Sequence, residues 1–142
     1  MKNQAAQIIP YLAFHGNCEE ALHTYMAAFG GEILYLSRWS ENTCQEPEQI
    51  GKVMHAECML GATRMAAGDS FENQNNALSL KLMLHLSSTE DALHAISLLS
   101  QNGSILSPLQ PHPAPDDAGC GSIVRDGFGI TWIVTCPNPM KQ

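Results

Sequence analysis

Positive charge is scarce in this chain. Seven lysines and arginines stand against fourteen aspartates and glutamates, a formal net charge of −7 over 142 residues. The seven are scattered (Lys2, Arg38, Lys52, Arg64, Lys81, Arg125, Lys141) and form no basic stripe. Neither a nucleic-acid backbone nor an anionic membrane surface is therefore an expected partner. No apolar run approaches the ~20 residues that a membrane-spanning helix needs. The opening MKNQAAQ has no apolar signal core, so a cytoplasmic protein is expected. Five cysteines (Cys18, Cys44, Cys58, Cys120, Cys136) are an odd set with no CxxC pair, which argues against a disulfide framework and for reduced thiols. The six histidines form no HxH, HExxH or HxxxH, and no GxGxxG phosphate loop occurs, so neither a zinc motif nor a dinucleotide fold is indicated. What remains is a composition of 44% hydrophobic and 15% charged residues, that of a globular domain with a real core.

Periodicity divides the chain into alternating elements. Residues 8–14 (IIPYLAF) read as a strand whose Pro10 confines it to an edge or a strand start. Asn17 is placed to cap a helix over 18–29, with Glu19 and Glu20 near the positive end of its dipole and Ala21, Leu22, Tyr25, Met26 and Phe29 at helical spacing. Gly30 and Gly31 end it. Residues 32–39 form a second strand, 40–51 a polar loop and 52–60 a third strand. In that third strand His55, Glu57 and Met59 point one way, and Met54, Ala56, Cys58 and Leu60 the other. A turn at Gly61 and Ala62 leads into a strand over 63–67, and 68–76 is a polar connection.

The order then repeats. Residues 77–86 read as a strand, and Ser87, Ser88 and Thr89 offer capping oxygens to a helix with Ala92, Leu93, Ile96 and Leu99 on its apolar face. Strands follow at 104–109, 121–125 and 130–136, with the four prolines of 108–117 predicting a loop. Glycines recur at matching places, Gly31 with Gly103 and Gly61 with Gly129. Strand, helix and three strands thus occur twice, in modules spanning 8–68 and 77–136 of a single domain over 1–142, and the fold class is α+β with paired βαβββ modules.

Four stretches carry a resemblance: PYLAFHGNCEEALHTY, FGGE, KVMHAE with the following LGATRMAAGD, and DGFGITW, in that order along nearly the whole chain. Together they resemble the PhnB-like branch of the glyoxalase/bleomycin-resistance/dioxygenase (vicinal oxygen chelate) superfamily. The resemblance implies two modules whose sheets curl into a half-barrel around a cavity, commonly in a homodimer. Relatives have often been labelled demethylubiquinone methyltransferases. A methyltransferase needs a glycine-rich loop after a first parallel strand to hold its nucleoside cofactor, and the sequence has none.

Metal-dependent relatives place four His or Glu ligands on the cavity side, because a divalent ion takes nitrogen or oxygen donors at ~2 Å. Carried over, those positions are Pro10, Met65 or Ala66, Leu80 or Leu82, and Ile133, the last within the stretch DGFGITWI. None can ligate a metal. No cofactor is expected, and a divalent metal is unsupported at the family's usual positions. His55 and Glu57 share a strand face at i,i+2, ~6–7 Å apart, where they would serve as a base and its orienting partner, as two ligands, or merely as a polar pair wetting the interior. Cys58 reads as core. Cys120, between Gly119 and Gly121, is the thiol expected to be most exposed, with a structural role weighed above a nucleophilic one. Asp69 and Asp126 read as turn caps, and Trp132, facing away from Ile133, as a residue covering a helix.

Three functions compete. The first is metal-free binding of a small molecule, with His55, Glu57, Met59 and Ile133 as contacts. The second is a metal-dependent lyase, isomerase or dioxygenase with a non-standard site in which His55 and Glu57 are catalytic. The third is a structural or interaction homodimer whose cavity is filled by its own side chains.

Overall fold

Strand alternation and two amphipathic helices build two modules in the computed structural model, which describes residues 7–43, 46–71 and 80–141. The chain divides into compact units at 1–73 and 74–142. In the first unit β1 (Tyr11–Phe14), α1 (Cys18–Phe29), β2 (Gly31–Arg38), β3 (Val53–Leu60) and β4 (Thr63–Asp69) follow in order. The sheet order is β1-β4-β3-β2, with β1 parallel to β4 and the other pairs antiparallel. The helix face of the sheet buries Leu12, Phe14, Ala56, Cys58, Leu60, Met65 and Ala67. Against it α1 buries Cys18, Ala21, Leu22, Tyr25 and Ala28, the expected apolar spacing. Gly30 and Gly31 have φ of 88° and 134°, a region costly for residues with a Cβ, and a side chain at Gly31 would run into the Met59 carbonyl. Helix therefore passes into β2 with no linker.

The start of α1 departs from expectation. Asn17 occupies the cap position but makes no side-chain cap bond. Asp69, at the end of β4, supplies the oxygen instead: Oδ1 accepts from the Gly16 and Cys18 N–H groups at 2.8 and 2.9 Å, and Oδ2 from the Val53 N–H at 3.0 Å. A buried carboxylate 51 residues downstream thus caps the helix and pins the start of β3. Arg38 adds a two-pronged bond to Glu19, both N–O distances 2.9 Å, which ties the end of β2 to the first turn of α1.

In the second unit β5 (Leu82–His85), α2 (Thr89–Leu99), β6 (Ser104–Pro111), β7 (Gly119–Arg125) and β8 (Thr131–Pro137) repeat the order, in a sheet arranged β5-β8-β7-β6. The strand expected over 77–86 is described from Leu82 to His85, and 77–79 lie outside the described residues. Ser88 caps α2 through its Oγ, which accepts from Asp91 N–H at 3.1 Å. Asp126 caps the β7–β8 turn, accepting from Phe128 and Ile130 N–H and, through Oδ2, from Trp132 Nε1 at 2.8 Å.

Two expectations are corrected. The proline stretch is not loop from 108 onward: β6 continues through Pro108 to Pro111. It can do so because β6 is an edge strand, where a missing N–H need not face a neighbour, and because the pairing register skips from Ser107 to Gln110. β7 also starts earlier, at Gly119, so Cys120 sits in a strand, 7% exposed.

Replacing Asp69 by alanine leaves three N–H groups without their acceptor. Urea denaturation followed by far-UV circular dichroism should show a loss of about 3 kcal/mol, with Asp69→Asn, which keeps one carbonyl oxygen, losing about half of that.

Candidate functional site

Register places the polar residues of the first unit on one open sheet face. Cross-strand partners in a sheet share a face, and the chain of partners Tyr35–Glu57–Ala66–Tyr11 crosses all four strands. His55 lies one residue pair along β3, opposite Ser37. Its ring is stacked on Tyr11, centroids 5.9 Å apart and planes 28° apart, and tilted against Tyr35 at 6.3 Å. Small residues clear the space under these rings. A side chain at Gly68 would come within 2.5 Å of the Tyr11 hydroxyl, so glycine there lets the phenol lie across β4. Met59 shares the face, with Arg64 opposite it.

Glu57 is the polar centre of the array. Its Oε2 is 3.0 Å from His55 Nε2, and its Oε1 is bonded to Arg64. The His55 hydrogen bond, and then Arg64, hold the Glu57 carboxyl below the usual carboxylate range. His55 and Glu57 keep about a third of their side-chain surface exposed, 37% and 32%, so the pair is open to a ligand. The Tyr11 hydroxyl is pushed up, first by burial and then by the charges of Cys18 and Asp69.

The expected substrate contacts His55, Glu57 and Met59 therefore share one face in the first unit. Ile133 belongs to the second, on the open face of its own sheet: Trp132, Val134 and Cys136 of β8 are buried, while Ile133 pairs with Met83 and Ile123 and lies half-buried. That face also carries His85, whose Nδ1 is 2.8 Å from Thr135 Oγ1, and His112, whose ring covers Gly121.

The register also shows which residues near the expected ligand positions face the open side of each sheet. Met65 pairs with Cys58 on the helix face and Ala66 with Glu57 on the open face, so Ala66 is the relevant position. On β1 the open-face residue opposite Ala66 is Tyr11 rather than Pro10. On β5 it is Met83 rather than Leu80 or Leu82, because Met83 is the partner of Ile133. Of these, Tyr11 alone carries a hard oxygen donor; alanine beside it in the first unit, and isoleucine with a methionine thioether in the second, supply none. Among the described residues no group of three or more His, Cys, Asp or Glu could hold one.

Other candidates lie away from this face. Cys58 and Cys120 are buried, and desolvation raises both thiols. This corrects the expectation that Cys120 is exposed. Cys18, under α1, is pushed up to about 12 by burial and by the Asp69 charge. His15 is exposed, with Nδ1 2.9 Å from the Ser70 carbonyl. A surface depression beside the start of α1 is lined by Gly16, Asn17, Glu19, Glu20, Lys52 and Asp69. Its one buried carboxylate is already occupied by backbone donors. Sequence reasoning missed Tyr11, Tyr35 and Arg64. The two-residue turn at Gly61 and Ala62 was the available signal for Arg64, since it fixes the β3–β4 register.

Because its folded pKa is depressed, Glu57 contributes stability that is present above its unfolded value and lost as pH falls through the folded one. Carbon-detected NMR should place its midpoint below that of an ordinary exposed glutamate, and either Arg64→Ala or His55→Ala should raise it. A midpoint insensitive to both would show that neither bond forms in solution.

No described helix is long and apolar enough to cross a membrane. Comparison with known proteins gives a consistent result. The family described as 3-demethylubiquinone-9 3-methyltransferase matches residues 6–135. Protein YjdN of Escherichia coli (strain K12) is 26% identical over 145 residues, covering 94% of this chain and 95% of that protein. A PhnB protein from Bacillus cereus superposes with a TM-score of 0.79 at 29% identity, covering 92% of this chain and 99% of the other. A glyoxylase/bleomycin resistance protein/dioxygenase domain from Frankia sp. EAN1pec shares the fold, with a TM-score of 0.65 at 12% identity over 96% of this chain and 100% of that one. Duplicated βαβββ modules, the ordered motifs and a match spanning nearly every described element converge: the chain belongs to the family described as 3-demethylubiquinone-9 3-methyltransferase.

Proposed function

We propose that this chain binds a planar, largely apolar small molecule on the open face of its first sheet, without a divalent metal at the superfamily's ligand positions. The observation that supports this most directly is the ring array. Tyr11 and Tyr35 are 53% and 55% exposed while flanking His55, so flat apolar surface stands in water unless a ligand covers it. Gly68 lets the Tyr11 phenol lie across β4, which keeps that ring on the face. Glu57 provides one fixed acceptor for a ligand N–H or O–H, and Arg64 offsets its charge. A few placed polar groups within apolar surroundings are the usual make-up of a small-molecule site.

The family's description names a methyl transfer. Each sheet here has four strands and one parallel pair, and no described parallel strand leads into a glycine-rich loop that would cradle a nucleoside donor. The reading therefore takes the binding surface and not the methyl transfer. A homodimer in the cytoplasm is part of it, in keeping with exposed Leu34 on the edge strand β2.

One observation favours a second reading. The 3.0 Å contact between His55 Nε2 and Glu57 is the arrangement by which a carboxylate orients an imidazole base, leaving Nδ1 to accept a proton. Turnover of any bound compound that His55→Gln abolishes while binding persists would establish catalysis.

Nile red, a neutral planar dye, serves as the probe for the first reading. Its emission should shift blue and saturate, and Tyr35→Ala should weaken binding about fivefold, as expected for about 1 kcal/mol of ring contact. Elemental analysis of the purified protein should find no stoichiometric zinc, nickel, manganese or iron. Unsaturable dye binding, or an affinity indifferent to Tyr35→Ala and His55→Ala, would overturn the site. A stoichiometric metal lost on His55→Ala and Glu57→Ala would overturn its metal-free character.

A further inference from the structure

Two cysteines of the second unit face each other across a ladder. Cys120 on β7 and Cys136 on β8 are direct antiparallel partners, and both are buried, 7% and 1% exposed, on the helix side of the sheet. Directly opposed residues of an antiparallel pair have Cα atoms about 4.5–5.5 Å apart, inside the ~4.4–6.8 Å window of a disulfide. The Asn138 N–H bond to the Ala118 carbonyl two residues along makes Cys120–Cys136 a hydrogen-bonded pair, with Cβ atoms at the wide end of the ~4.5–5.5 Å range, so closing the bond asks for an approach of roughly 1–2 Å.

The local chain can supply that movement. Cys120 is flanked by Gly119 and Gly121, and the pair lies one residue from the start of β7 and one from the end of β8, where a ladder opens most easily. The other described thiols have no such partner across a ladder. Cys58 is opposed by Met65 and Ile33, and Cys18 lies in α1.

We propose that Cys120 and Cys136 form a redox-active dithiol, closed to a β7–β8 disulfide by a hydroperoxide. Cys120, the more exposed of the two, reacts first. Its thiolate attacks the peroxide O–O bond, forming S–O and releasing water once the leaving oxygen is protonated. The Cys136 sulfur then attacks the sulfenic sulfur, forming S–S as S–O breaks and a second water leaves. Two thiols and one hydrogen peroxide give one disulfide and two waters. The sulfurs lose two electrons in all, and the peroxide gains two. A thiol such as glutathione reverses the step by exchange. Burial raises the Cys120 thiol, so closure is slow at neutral pH and accelerates as pH rises, since the thiolate is the nucleophile.

The full chain treated with hydrogen peroxide should lose the mass of two hydrogens. Non-reducing peptide mapping should recover Cys120 joined to Cys136, with dithiothreitol restoring the original mass. Closure should run at least tenfold faster at pH 9 than at pH 7, and Cys120→Ser should abolish the cross-link. A disulfide between other cysteines, oxidation of either thiol to sulfinic acid without cross-linking, or an intermolecular bond would each overturn the proposal. The mapping of the unaltered chain decides it even where a serine variant folds poorly.

Discussion

One carboxylate fixes the geometry on which the first unit depends. Asp69 brings together the N-terminal turn of α1, the end of β4 and the first residue of β3 by accepting three backbone N–H groups. A helix start has unpaired donors that must be satisfied somehow, and here the answer comes from the last strand of the module rather than from the cap residue. Because strand side chains alternate with period two, a shift of β3 by one residue would carry His55 and Glu57 to the helix side and Cys58 to solvent. The Val53 bond at the head of that strand holds the phase. The open-face chemistry is thus tied to a buried carboxylate on the helix side of the sheet, whose charge reaches that face only through the Tyr11 hydroxyl.

On that face the arrangement is economical in charge. Glu57 is met from one side by an imidazole and from the other by a guanidinium, and rings lie to either side of the imidazole. The corresponding face of the second unit presents Met83, Ile123 and Ile133 together with the His85–Thr135 and Gln110–Ser107 bonds. The two modules share an element order and differ in surface: one centres on a carboxylate among phenol rings, the other on hydrocarbon flanked by neutral polar groups. Duplication has left the scaffold alike and the faces distinct.

Much of this was legible in the residues. Apolar spacing located both helices, alternation in 52–60 put His55, Glu57 and Met59 on one face, and matched glycines exposed the repeat. What escaped was everything that depends on which strands are neighbours. Tyr11 and Tyr35 are 44 and 20 residues from His55, separations that no periodicity connects, and only the order β1-β4-β3-β2 brings them beside it. The same holds for Asp69, read as a local turn cap because its long-range donors could not be seen. Cys120 was misjudged because flanking glycines suggest a loop, whereas here they belong to a strand whose alternate positions are covered by the His112 ring.

The prolines of β6 carry a further consequence. An unpaired margin of a sheet offers a row of donors and acceptors to any passing extended chain. Pro108 and Pro111 delete two of those donors, and the break in register beside them bends the row out of line. The eight-residue margin of the second half is thereby guarded against fibre-like stacking, while the packing of its inner neighbours on α2 is left undisturbed.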